Sequence, residues 1–220
     1  MRQTVINAIL EHKIIAIVRG AQPEKVLPVA RALMEGGISL VEVTFDQKAP
    51  DSWPKTAQAI AQIADQLAGG VIVGAGTVLT PGQVHMAGEA GAKYIISPNA
   101  DPQVIKATRE RNLVSIPGAL TPTEAMAAHQ AGADFIKLFP VTSLGPGYIK
   151  AVKAPLSHLR FLAVGGIDEK NLADYLKAGA LGAGIGGRLV NSQWIANNEF
   201  EKITALAKEY VRAAKEGVQP

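Results

Sequence analysis

Short β-branched runs alternate with helix-forming stretches along the whole chain, and this alternation constrains the fold more than any other feature. The runs fall at residues 14–18, 40–45, 71–73, 94–96, 114–116, 135–139, 161–164 and 183–185, eight candidate strands in all. Between them lie Ala/Leu/Lys/Glu-rich segments such as 24–35, 52–66, 102–111 and 122–130, which are helical in character. Strands and helices in strict alternation predict an α/β protein with a parallel sheet.

A weak internal repeat narrows the choice of sheet. Small residues and glycine break the chain at Met34-Glu35-Gly36-Gly37, Gly88-Glu89-Ala90-Gly91, His129-Gln130-Ala131-Gly132 and Leu176-Lys177-Ala178-Gly179. Each has the form of a helix C-cap feeding a strand. The four copies precede the second, fourth, sixth and eighth strands, so the repeating unit is two βα modules taken four times. This predicts a (β/α)8 TIM barrel, and 220 residues lie near the lower end for that architecture. A doubly wound open sheet is the rival. It would carry Gly-x-Gly-x-x-Gly after the first strand, and Val18-Arg19-Gly20-Ala21-Gln22 does not supply it. No linker, charge block or low-complexity segment divides residues 1–220, which are expected to form one domain.

Composition removes several function classes. Hydrophobic residues make up 48% and charged residues 19%, below the usual share of about 25%, so much of the chain must be buried. No apolar run approaches the roughly 18 residues of a membrane span, and Met1-Arg2-Gln3-Thr4 lacks the apolar stretch of a signal peptide. A soluble, cytoplasmic protein without a membrane partner is expected. A net charge of +3 with scattered Lys and Arg, and 5% aromatic residues, give neither a phosphate-tracking patch nor a base-stacking platform, so no nucleic-acid partner is expected. Without cysteine this chain has no thiolate nucleophile or cysteine-ligated metal. His12, His85, His129 and His158 share no metal-ligand spacing, so no metal or cofactor is expected.

In such a barrel the active site lies at the C-terminal ends of the strands. Lys137 is the only charge in Phe135-Ile136-Lys137-Leu138-Phe139-Pro140, a strand otherwise suited to burial on both faces. Desolvation lowers the pKa of such an amine and frees it as a nucleophile toward a carbonyl, although a lysine can also snorkel or pair with a carboxylate. Glu42 is likewise the one acid in Val41-Glu42-Val43-Thr44-Phe45 and shares a face with Thr44. If that face is the barrel interior, Glu42 and Lys137 converge. A buried ion pair is often no gain over apolar packing, which favours a functional reason for both.

Three further places have chemistry to offer. Gly74-Ala75-Gly76-Thr77-Val78 ends the third strand, where two glycines let backbone approach a ligand and Thr77 presents a hydroxyl. Gly165-Gly166 and Gly186-Gly187 follow the seventh and eighth strands, where barrels often bind phosphate through backbone N–H groups, with tight helix–strand packing as the alternative. Arg19 at the end of the first strand is placed to clamp a carboxylate.

Taken with Glu-Val-Thr at 42–44, Ile-Ser-Pro at 96–98, Ile-Pro-Gly at 116–118, Lys-Leu-Phe-Pro at 137–140 and Gly-Gly-Ile at 165–167, these motifs closely resemble one family over Arg19 to Val190. It is that of the 2-keto-3-deoxy-6-phosphogluconate (KDPG) / 4-hydroxy-2-oxoglutarate (KHG) aldolases. The resemblance implies a (β/α)8 barrel, a homotrimer, and a metal-free, cofactor-free aldolase that releases pyruvate through a Schiff base. By position it makes Lys137 the imine-forming residue and Glu42 the general acid/base, with Thr77 and Arg19 holding the pyruvyl carboxylate of a small keto acid. Pro98 and Phe139 would line the pyruvate pocket, and Gly165, Gly166, Gly186 and Gly187 would receive the distal phosphate or carboxylate.

The chain departs from the family pattern in the outer site. Asp46 stands where some members have arginine, Val164 where many have threonine, and Gly187, followed by Arg188, where serine is frequent. Asp46-Gln47-Lys48 is a candidate specificity element. The competing reading is a phosphosugar isomerase or epimerase with Glu42 as proton abstractor and Lys137 as an electrostatic group. A third is a barrel that binds a keto acid without turnover. The segment 200–215 reads as an amphipathic helix packing on the barrel or on a neighbouring subunit.

Overall fold

The computed structural model describes residues 2–217. Nine strand segments are found among them: β1 (Ile14–Val18), β2 (Leu40–Thr44), β3 (Ile72–Gly76), β4 (Tyr94–Ile96), β5 (Val114–Ile116), β6 (Gly118–Ala119), β7 (Ile136–Leu138), β8 (Phe161–Val164) and β9 (Gly182–Ile185). Every neighbouring pair is parallel, in the order β5-β4-β3-β2-β1-β9-β8-β7-β6. The two ends of that order, β5 and β6, are separated in the chain by Pro117 alone. They are halves of one strand: β5 pairs with β4, and β6 with β7. The ring is therefore closed through the chain itself, and the nine segments are the eight strands of a (β/α)8 barrel. Proline has no N–H to give to a ladder, which accounts for the break at this position.

The helices are α1 (Arg2–His12), α2 (Pro23–Glu35), α3 (Trp53–Gln66), α4 (Pro81–Glu89), α5 (Pro102–Glu110), α6 (Pro122–Gln130), α7 (Gly145–Lys153), α8 (Leu172–Lys177), α9 (Ser192–Ala196) and α10 (Phe200–Glu216). The four glycine breaks end α2, α4, α6 and α8. Gly37, Gly91, Gly132 and Gly179 all have φ between 90° and 108°, and the next amide N–H in each case reaches back five residues. Those bonds run from Ile38 to Leu33, Ala92 to Ala87, Ala133 to Ala128 and Ala180 to Tyr175, at 2.9–3.1 Å. This is the Schellman arrangement, used four times to turn a helix into a strand.

Two apolar layers result from the two-residue period of the strands. The outer one packs strand residues such as Val41, Val43, Ile136 and Leu138 against the surrounding helices. The inner one fills the barrel with Ile15, Leu40, Tyr94, Ile96, Val114, Ile116, Phe135 and Leu162. Val5, Ile6 and Ile9 of α1 belong to the inner layer, so α1 plugs the N-terminal end of the barrel. Asp134 fastens it there: its carboxylate accepts from Arg2 Nε (3.2 Å), Arg109 (3.0 Å) and the Ser115 amide (2.9 Å). The C-terminal end of the barrel opens into a cavity.

Candidate active site

The strand period decides which side chains enter the barrel. On β2, Leu40 lies in the inner layer and Val41 and Val43 in the outer, so Glu42 and Thr44 point inward. On β7, Phe135 is inner and Ile136 and Leu138 outer, so Lys137 points inward as well, with Phe139 above it. Both groups sit directly above the apolar plug. Glu42 is 1% and Lys137 4% exposed.

The burial of Glu42 is not repaid by hydrogen bonding. Both Glu42 carboxylate oxygens are buried with no hydrogen-bond partner. Burial pushes its pKa up, while Lys137 and Arg19 pull the other way by their charge. Burial pushes the Lys137 amine down and Arg19 adds to that, with Glu42 opposing. The Lys137 ammonium lies over the Phe139 ring, 4.6 Å from its centroid. The acid is thus biased toward its protonated form and the amine toward its neutral form, which is the state that adds to a carbonyl.

Above the pair opens a cavity of about 780 Å³. Its wall includes Arg19, Thr44, Thr77, Pro98, Lys137 and Phe139. Arg19, Thr77, Pro98, Lys137 and Phe139, together with Asp46, Gln47 and Lys48, are thereby brought around one opening, with Glu42 one layer below.

One expectation needs correction. Gly74 and Gly76 do not serve to bring backbone to a ligand. A Cβ at Gly74 would enter the Tyr94 ring, and one at Gly76 would lie inside the Glu42 carboxylate. They are glycine because two large side chains cross the barrel over them, and Glu42 owes its position to the space at Gly76. The paired glycines at 165–166 and 186–187 are not among the residues of that wall. They occupy the ends of the neighbouring strands β8 and β9, where Gly165 and Gly166 have φ of 104° and 70° and Gly186 and Gly187 face open space. The Asp168 carboxylate accepts from the Lys170 and Asn171 amides just before α8. Arg188 instead makes a two-pronged ion pair with Glu169 (2.8 and 2.6 Å), tying the loop after β9 to the loop after β8.

Some site residues carried no sequence signal of their own. Tyr94 forms the floor next to Glu42, which together with burial holds its phenol well above the ordinary range. Gln83, 1% exposed on α4, bonds to Gln47 across 36 positions of chain. Only the three-dimensional approach of β2 and α4 makes that pair visible.

The fold and the cavity define a (β/α)8-barrel enzyme, and its similarities make it a carbon–carbon lyase. The model of the KDPG and KHG aldolase family matches residues 5–206, and the chain belongs to that family. It is 37% identical to the 2-dehydro-3-deoxy-6-phosphogalactonate aldolase of Escherichia coli strain K12 over 94% of this chain and 96% of that one. Among solved structures, a native KDPGal structure superposes with a TM-score of 0.84 at 36% identity, covering 94% of this chain and 96% of the other. The KDPG aldolase of Legionella pneumophila, in which pyruvate is captured as a covalent carbinolamine, superposes with a TM-score of 0.82 at 29% identity over 92% of this chain and 96% of its own.

Proposed function

We propose that Lys137 forms the Schiff base of a class I aldolase and that the substrate is a 2-keto-3-deoxy-6-phospho sugar acid. The observation that carries this is the buried Lys137 and Glu42 beneath one open cavity, each shifted by burial toward its uncharged form. The neutral Lys137 amine adds to the C2 ketone, and the protonated Glu42 gives its proton to the carbinolamine hydroxyl, which leaves as water, so that a protonated imine and a Glu42 carboxylate remain. Glu42 then takes the proton of the C4 hydroxyl, the C3–C4 bond breaks, and its electron pair passes into the imine. The aldehyde, glyceraldehyde 3-phosphate, departs. Glu42 returns that proton to C3 of the enamine, and water hydrolyses the protonated imine, its proton passing to Glu42, to release pyruvate and restore neutral Lys137. Arg19 and Thr77 hold the pyruvyl carboxylate, Pro98 and Phe139 bound the methyl side, and Gly165, Gly166, Gly186 and Gly187 offer backbone N–H groups to the distal phosphate.

Similarity to the E. coli phosphogalactonate aldolase supports that C4 epimer as the preferred substrate. Val164, in the position where many members have threonine, puts methyl groups toward the aldehyde half. Initial rates with both epimers test the preference: a kcat/KM ratio favouring the gluconate epimer overturns it. Lys137→Arg keeps the charge but removes the nucleophile, so retained turnover would restore the isomerase or epimerase reading. Family membership also supports a homotrimer, read by light scattering as three times the chain mass. A cytoplasmic location follows from a phosphorylated substrate and is checked by cell fractionation. Among the described residues no helix is long and apolar enough to cross a membrane.

A further inference from the structure

Two glutamines form an amide relay that ends on the backbone of Thr77. Thr77 has a φ of 54°, in the left-handed region that β-branched residues seldom enter. Its carbonyl oxygen accepts a hydrogen bond from Gln47 Nε2 at 2.6 Å. Gln47 Oε1 accepts in turn from Gln83 Nε2 at 3.2 Å, and Gln83 Oε1 accepts from the Leu79 amide at 2.8 Å. The polarity is forced from both ends, because a backbone N–H only donates and a carbonyl only accepts. Neither amide can turn over without losing its bonds. The relay joins α4, the loop after β3 and the loop after β2, and both Gln47 and Thr77 are part of the cavity wall.

We propose that Gln47 is a positioning residue that holds Thr77 in its left-handed conformation, with its hydroxyl set for the carboxylate of the bound keto acid. This rests on the aldolase reading of the site. Gln83, buried and fixed on α4, gives Gln47 its orientation, so the loop that carries Asp46 and Lys48 is coupled to the pyruvate subsite. The relay makes affinity for the keto-acid carboxylate depend on a donor at position 47, and Thr77 loses its setting when that donor is removed.

The test is borohydride trapping of pyruvate on the full chain, read as the pyruvate concentration giving half-maximal adduct on Lys137. Gln47→Leu should raise that concentration about tenfold, the effect of one lost hydrogen bond that strands a carbonyl, with the trapping rate at saturating pyruvate unchanged. Gln47→Glu separates positioning from packing. Its ionised carboxylate faces the Thr77 carbonyl with no donor, whereas the protonated acid restores one, so its half-maximal concentration should return toward wild type as the pH falls. Unchanged half-saturation in Gln47→Leu, or a pH-independent loss in Gln47→Glu, overturns the role of the relay while leaving the aldolase site standing. Absence of any Lys137 adduct in the wild type overturns both.

Discussion

Replacing Glu42 and Lys137 together by methionine should make the protein more stable and inactive. The two side chains are 1% and 4% exposed, and neither Glu42 oxygen is hydrogen-bonded. Buried ionisable groups repay their desolvation only with hydrogen bonds, and exchanging a poorly compensated set for apolar chains of similar volume typically gains about 1–4 kcal/mol. Methionine matches the length of Glu42 and is one atom shorter than Lys137, and its flexible thioether adapts to the space over Gly76. For 220 residues the unfolding entropy near the melting point is about 0.46 kcal/mol/K. The double variant should therefore melt roughly 2–9 °C above wild type. Lys137→Met alone leaves the carboxyl buried without its cation and should fall short of the double variant. Differential scanning calorimetry at neutral pH measures all three proteins. A double variant that melts at or below wild type refutes the reasoning, because the pair would then be retained for stability rather than chemistry.

Other perturbations follow from the same geometry. Gly76→Ala drives a methyl group into the Glu42 carboxylate; it should cost about 1–3 kcal/mol in thermal melts and, by displacing Glu42, at least about tenfold in kcat/KM. Imine formation needs the neutral amine, so the rate of pyruvate trapping should rise with pH through a midpoint below the ordinary lysine value of 10.5. Because Glu42 raises and Arg19 lowers the Lys137 pKa, that midpoint should move down in Glu42→Gln and up in Arg19→Ala, as stopped pH profiles will show. Asp134→Ala removes the acceptor of Arg2, Arg109 and the Ser115 amide at the barrel floor and should destabilise by about 1–3 kcal/mol in urea melts, leaving Lys137 trapping intact in the folded protein.

Much of this architecture is written in local patterns. The two-residue period alone put Glu42 opposite Val41 and Val43, and the four glycine breaks correspond to four Schellman turns, because strand facing and helix termination are properties of a few adjacent residues. What depends on distant partners was not legible. The split of one strand at Pro117 reflects a change of neighbour from β4 to β7. The plug formed by α1 is set by the inner layer it meets, and nothing in Arg2–His12 names that layer. Gly74 and Gly76 read as ligand-facing until Tyr94 and Glu42 are seen lying over them. The Gln47–Gln83 relay requires two chain segments to meet before either residue has a role. Conversely, Arg19, Thr77, Pro98, Lys137 and Phe139 were legible as a set only through family resemblance, and they surround one cavity.

The most direct test of the central claim is to incubate the protein with pyruvate, reduce with borohydride and map the added mass by peptide mass spectrometry. The account predicts a reduced pyruvyl adduct on Lys137 that requires both reagents and is absent from Lys137→Met. A folded protein that acquires no adduct, or acquires it on a surface lysine instead, would contradict a Schiff-base mechanism at this site.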